Sequence, residues 1–269
     1  MATLLARPIF QLQQIGTIVA LAATVTVNAL ANLLPLNGQT TAAISDRYPL
    51  LITPPGYVFA IWGLIYTGLI GYAIYQALPE QANNPRLRAA APWFWLSCAG
   101  NIGWIVVWHY NLPLLSLPAM LIVLIGLIGV YLALRHPGAP AAGERWLVRP
   151  AFSVYLGWIC VATLVNGGVF LYELGWRDTG VGGIASTIVL LVLAAGLSWW
   201  FARRWRDGVL PLVVAWAASG IGLKQAAIAP LAVVAWGVAA VALIAAALIA
   251  AAYAAQNGQT PRGQRRRDS

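Results

Sequence analysis

The chain has 269 residues, 61% of them hydrophobic and 9% charged, with a mean hydropathy of +0.76. A soluble domain carries about 25% charged residues, so this composition excludes a soluble enzyme, a disordered chain and a nucleic-acid-binding module. The formal net charge of +9 then reads as a record of which loops stay in the cytoplasm, because basic residues near span ends tend to remain there. The expected fold class is all-α, a polytopic integral membrane helix bundle.

A membrane-crossing helix needs about 20 apolar residues. The charges leave seven long uncharged runs, and the third, 89–134, has room for two spans around a turn at Asn111-Leu112-Pro113. The spacing therefore predicts eight helices over 13–34, 56–77, 92–110, 114–134, 150–172, 183–203, 208–224 and 229–254, the seventh being the shortest. With eight spans the sixteen Lys and Arg divide 13 to 3 between the two sides, which puts both termini in the cytoplasm. A competing reading of the first span is a signal peptide cut near Ala29-Leu30-Ala31. Residues 256–269 read as a basic, disordered tail near anionic lipid.

All seven acidic residues, Asp46, Glu80, Glu144, Glu173, Asp178, Asp207 and Asp268, fall in loops or the tail, and Lys224 is the one intramembrane candidate. Ion-coupled carriers usually keep ionisable groups inside the membrane, so coupled transport is disfavoured. His109 and His136 have no Cys, His or carboxylate at ligand spacing, which argues against a structural metal. Cys98 and Cys160 lie in apolar stretches and read as small core residues. No hydrolytic or phosphate-binding motif is present.

The aromatic side chains divide into two groups. Trp93, Trp95, Trp146, Trp176, Trp199, Trp200 and Trp205 fall near span ends, where an indole suits the membrane interface. A deeper group recurs at helical spacing. Phe59, Trp62 and Tyr66 are spaced i, i+3, i+7, as are Asn101, Trp104 and Trp108, and Tyr155, Trp158 and Ala162, with Asn166 one turn further. At about 100° per residue each set forms a narrow stripe. Two readings stand: interhelical packing glue, or the wall of a pocket for a flat ligand held by stacking and a few hydrogen bonds. On the second reading Trp62, Tyr66, Asn101, Trp104, Tyr155, Trp158 and Asn166 converge on one cavity. The loop from Pro35 to Pro55 is long enough to fold over the bundle as a lid. Its exit, Thr53-Pro54-Pro55-Gly56, predicts a rigid helix entry capped by Thr53. Gly167 and Gly168 beside Asn166 serve close packing or make room for a ligand.

PPGYVFAIWGLIY at 54–66 resembles the signature of the TspO/MBR family of tryptophan-rich sensory, translocator-protein-like membrane proteins. Asn101-Ile-Gly-Trp104 resembles that family's third-helix Asn-x-x-Trp, and Arg149-Pro150 with Tyr155, Trp158, Ala162 and Asn166 resembles its fifth helix. Tyr57 stands where the family usually has tryptophan, and the spacing from Phe59 to Trp62 is one residue shorter, which implies a rotated first turn.

The resemblance implies a five-helix unit over 1–178; the additional transmembrane helices over 179–255, read from the apolar runs, have no counterpart in five-helix members and make this a long relative, with the tail over 256–269. It also implies a pocket under the first long loop, with Tyr57, Phe59, Trp62, Tyr66, Asn101, Trp104, Trp108, Tyr155, Trp158 and Asn166 as ligand-binding residues. The implied ligand is a tetrapyrrole, protoporphyrin or haem, or another flat hydrophobic molecule. Light-dependent porphyrin breakdown is reported in some members, and Trp62, Trp104 and Trp158 would be the electron-donating or quenching side chains. The implied partners are membrane lipid and a small hydrophobic ligand, with room for a homodimer and none for nucleic acid. The implied location is a bacterial-type plasma membrane. A facilitative transporter of a small apolar metabolite is the alternative, and a scaffold whose aromatic residues merely pack is a third reading. The last three helices are expected to pack beside the five-helix unit without touching the ligand.

Overall fold

A computed structural model describes residues 6–34, 36–177 and 180–258, so the tail from 259 onward, together with Pro35 and Asp178, lies outside the described residues. Eight long helices follow in order: α1 (Ala6–Leu33), α2 (Ile61–Ala77), α3 (Pro85–His109), α4 (Pro113–Ala133), α5 (Arg149–Glu173), α6 (Val181–Trp205), α7 (Val209–Lys224) and α8 (Ala229–Gly258). Among the described residues there is no strand. Among the described residues seven helical segments are long and apolar enough to cross a membrane, and α7, with 16 residues, falls short of about 20. It nevertheless connects both ends of the bundle. Asp207, just before it, bonds Arg135 beyond the end of α4, and Gln225, just after it, donates to the Leu51 carbonyl in the lid loop.

Local chemistry sets the helix ends. Asn84 accepts from the backbone N–H of Arg86 and Leu87, and Pro85 occupies the first turn, where its missing N–H costs nothing. α3 therefore begins seven residues before the expected 92. A charge-free window excludes Arg86, but its charge is absorbed by Glu144, whose carboxylate is fully buried 2.7 Å from the guanidinium. The predicted turn after α3 holds: Asn111 adopts φ 57 and Pro113 opens α4. Thr53 does not cap α2, since its hydroxyl is buried without a partner. Instead Gly56–Ala60 forms a 3-10 turn entered from extended Pro55, and the α-helix starts only at Ile61.

The first five helices close a ring, in which α1 packs on α2 and α3, α4 on α3 and α5, and α5 on α2. Small residues permit the tightest contact. A Cβ on Gly126 of α4 would lie 2.7 Å from the Ser97 backbone nitrogen of α3, so only glycine fits there. With α3 starting at Pro85, Trp93 and Trp95 fall in its third turn, Trp93 over Gly129 and Trp95 donating to Thr17 at 3.2 Å, and both also keep an exposed side, 42% and 36%. Trp146, Trp176 and Trp200 are exposed, as an interfacial role requires. Helices α6, α7 and α8 pack on one another and dock on the ring mainly through α7 against α5.

That docking is fixed by a buried carboxylate. Asp207 Oδ2 accepts from Arg135 at 2.6 Å, Ser153 at 2.6 Å and Tyr131 at 2.8 Å. Its Oδ1 accepts from the Val209 and Leu210 backbone nitrogens, capping α7. The Arg135 guanidinium also lies 3.3 Å over the Tyr131 ring. Burial alone would push the Arg135 pKa down, and its neighbours Tyr131 and Asp207 act against that. Removing the carboxylate leaves a buried cation unpaired, which costs about 3–5 kcal/mol. Asp207→Ala should therefore lower the unfolding midpoint of detergent-purified protein strongly, while Asp46→Ala, an exposed change, should not; equal midpoints would show that this cluster does not hold α7 to the ring.

Candidate functional site

The three aromatic stripes face the inside of the ring, and they meet beneath the lid. A cavity there is lined by Phe59 of the 3-10 turn, Trp62 at the start of α2, Trp104 and Trp108 of α3, Trp158, Ala162 and Asn166 of α5, Met120 of α4, and Thr41, Ser45 and Pro54 of the lid. As it stands, its volume is about 30 Å³, room for a water molecule or so and far below the range of about 300–1,000 Å³ for small-molecule sites. The walls are in mutual ring contact. Trp104 and Trp108 stack at 5.5 Å, and Trp158 meets Phe59 at 5.6 Å and Trp62 at 6.4 Å, both edge-on.

The ten expected residues separate into three sets. Phe59, Trp62, Trp104, Trp108, Trp158 and Asn166 line the cavity. Tyr66, Asn101 and Tyr155 lie beside it: Tyr66 stacks on Trp62 at 5.6 Å, Tyr155 meets Trp62 edge-on at 5.9 Å, and Asn101 donates to the Tyr155 hydroxyl at 3.1 Å. The expectation that all seven stripe residues share one cavity is corrected accordingly, because the lower third of each stripe is consumed by contacts between helices. Tyr57 belongs to neither set. It is 50% exposed and meets Trp216 edge-on at 5.7 Å, because the 3-10 turn advances about 120° per residue and carries it to the outer face.

The polar members of the stripes act first as interhelical glue. Asn28 of α1 donates to Asn101 Oδ1 at 2.6 Å, continuing the bond from Asn101 to Tyr155 and so linking α1, α3 and α5. Asn166 Oδ1 accepts from the Trp104 indole at 3.0 Å, and its amide donates to the Ala162 carbonyl at 2.8 Å. Two groups in the lining remain without a partner: the Trp158 Nε1 and the Thr41 Oγ1. A buried N–H left unpaired costs about 1–3 kcal/mol, so the cavity offers an incoming acceptor a donor that is already desolvated. The lining contains no His, Cys or carboxylate. Among the described residues no cluster of His, Cys, Asp and Glu could hold a metal ion.

Sequence reasoning missed Thr41, Ser45, Pro54, Met120, Val161 and Val165 as lining residues. Thr41 and Ser45 had a signal of their own, being four residues apart in the lid, where Thr40 caps a single turn over Thr41–Ser45. Met120 had none, since α4 carries no stripe.

The lid is seated by a few directional contacts. Trp108 donates to the Thr41 carbonyl at 3.2 Å, Asn37 to the His109 carbonyl at 3.0 Å, and Arg47 to Asn111. Tyr48 packs on Trp108 and Tyr172, with the Glu173 carboxylate near enough to raise its pKa. The lining residues come from the lid, the 3-10 turn and α2 to α5, and the last helices hold the entry. Trp216 donates to the Val58 carbonyl at 3.1 Å, Gln225 to that of Leu51 at 3.0 Å, and Val58 packs on Gly220, where a Cβ would lie 2.4 Å from its side chain.

Two outcomes test the lid. Gln225→Leu frees the Leu51 carbonyl, so trypsin should cut after exposed Arg47 several-fold faster than in the parent chain; an unchanged rate would show that α7 does not restrain the loop. Burial, reinforced by Glu173, pushes the Tyr48 hydroxyl up to about 12. A raised pKa means that the neutral form is favoured when the lid is seated. This contribution is fully present below about pH 10 and is lost as pH rises through about 12. The tyrosinate absorbance removed by Tyr48→Phe should titrate near the upper value; titration near 10 would mean Tyr48 is not seated.

A family model described as TSPO-like protein matches residues 14–250, a stretch that takes in all eight helices. No curated protein and no solved structure matches the chain. With a match over most of its length, the chain belongs to the TSPO-like family and is an integral membrane protein of that family's general ligand-binding and sensory kind.

Proposed function

We propose that this protein binds a tetrapyrrole, metal-free protoporphyrin in preference to haem, between the aromatic walls beneath the lid. The observation that carries this reading is the composition of the cavity: four indoles and a phenyl ring from three helices, with an unpartnered Trp158 N–H among them. Flat apolar rings gain from such walls, each well-placed aromatic pair adding on the order of 1 kcal/mol beyond area burial. The lining offers an iron no imidazole or thiolate, and the Met120 thioether alone is a weak ligand, which is why the metal-free ring is preferred.

Binding on this reading requires the lid to lift, since the closed cavity holds only about 30 Å³. The lid is the part that can move. Its turn is 5 residues long and rests on a handful of hydrogen bonds, whereas the ring helices are packed along their length. The two carboxylates of protoporphyrin need cations at the rim. Arg47, exposed, and Lys224, at 3.9 Å from Asp46, stand on the lid side of the bundle and would receive them.

Titration of detergent-purified protein with protoporphyrin, followed by Trp quenching and the Soret band, tests the reading. Trp104→Ala and Trp158→Ala should each weaken binding roughly tenfold or more, about 1.4 kcal/mol being a factor of ten. Trp199→Ala, on α6 and under Arg203, should leave affinity unchanged. Equal affinity in all three folded variants would mean that the aromatic walls are packing alone.

A further inference from the structure

A second and larger cavity, of about 430 Å³, lies outside the ring in the seam between α5 and α6. These two helices touch only slightly, because α6 reaches the ring through α7 and α8. One wall carries Gly167, Gly168 and Tyr172 of α5, the other Gly183, Thr187 and Leu190 of α6, and the lid residues Leu50 and Ile52 close the side toward the aromatic cavity. From Tyr172 down to Leu164 the groove runs about 12 Å along α5, eight residues at about 1.5 Å each.

The chemistry of the groove is sharply divided. Its hydroxyls are spent on their own helices: Thr163 donates to the Ile159 carbonyl, and Ser186 and Thr187 donate to that of Gly183. Between these helices the shaft therefore presents mainly apolar surface, with the Tyr172 phenol near its mouth. At its mouth, just past the end of α5, stands Arg177, its guanidinium 5.0 Å over the Tyr172 ring, beside exposed Trp176. An indole at that level marks the membrane interface. A cation at the interface above an apolar shaft suits an anion that carries an apolar tail.

We infer that this seam is a binding site for a single-chain amphiphile with a carboxylate head, its tail between α5 and α6 and its head on Arg177. The planar guanidinium pairs a carboxylate through two parallel hydrogen bonds. A volume in the lower half of the range for small-molecule sites, about 300–1,000 Å³, accommodates one chain and not the two of a phospholipid. The seam's own lining defines the site, not what binds the aromatic cavity, although the lid borders both.

The test uses the full chain in phosphatidylcholine nanodiscs with stearic acid spin-labelled near the middle of its chain, within reach of the groove, reading the motionally restricted fraction by electron paramagnetic resonance. Stearate should be selected several-fold over spin-labelled phosphatidylcholine. Arg177→Gln, or the methyl ester in place of the acid, should reduce that selectivity to near one, and Arg177→Lys should retain most of it. Thr187→Phe and Ser186→Phe, which fill the shaft from α6, should each abolish it, and Trp146→Ala, at an exposed indole outside both cavities, should leave it unchanged. Undiminished selectivity in Arg177→Gln, or in both filled variants with native helicity, would overturn the inference. So would phosphatidylglycerol restricted as strongly as stearate.

Discussion

Inside a bilayer little water competes for a buried N–H or carboxylate, so polar side chains that bridge helices bind strongly to one another. In this bundle such bonds form at two levels, while a few buried groups, Trp158 Nε1 among them, stay unpartnered. Midway, the chain of bonds from Asn28 through Asn101 to Tyr155 ties α1, α3 and α5 together, and the bond from Trp104 to Asn166 repeats the link one turn away. At the end opposite the lid, Asp207 gathers Arg135, Ser153 and Tyr131 while capping α7. Helices in lipid have no hydrophobic drive to associate, so such bonds and close small-residue contacts decide which faces meet. The inward aromatic walls follow from that choice.

The two cavities differ for the same reason. The ring is drawn tight by its internal hydrogen bonds, so the space between its indoles is nearly closed and its opening depends on the lid. The seam between α5 and α6 carries no such bond among those described, and its hydroxyls are turned back on their own helices. Space remains there because nothing pulls the helices together. One lid borders both spaces, with Thr41 and Pro54 over the first and Leu50 and Ile52 along the second.

Helix α7 shows how a short segment can matter. With 16 residues it is the least convincing span by length, yet it connects both ends of the bundle, through Asp207 at one and Trp216 and Gln225 at the other. The last three helices are thus more than neighbours of the five-helix ring. They hold the backbone of Val58 and Leu51 on either side of the Pro54-Pro55 entry, and so restrain the lid without entering the cavity beneath it.

Composition and the spacing of charges determined the membrane helix bundle and the turn at Asn111, because apolar length and a helix-breaking Asn-Leu-Pro are local properties. The stripes of Trp62, Trp104 and Trp158 were also legible, since a 3.6-residue period marks a face whatever that face meets. Partners were not legible. That Asn101 is spent on Asn28 and Tyr155, that Arg86 and Arg135 lie buried against Glu144 and Asp207, and that Met120 joins the lining all depend on residues distant in the chain. Tyr57 pointed outward because the turn at 56–60 wound as 3-10, a choice made by the packing of Val58 under α7. Sequence periodicity assigns a side chain to a face, but only the docking of helices decides whether that face closes on a neighbour, a ligand or lipid.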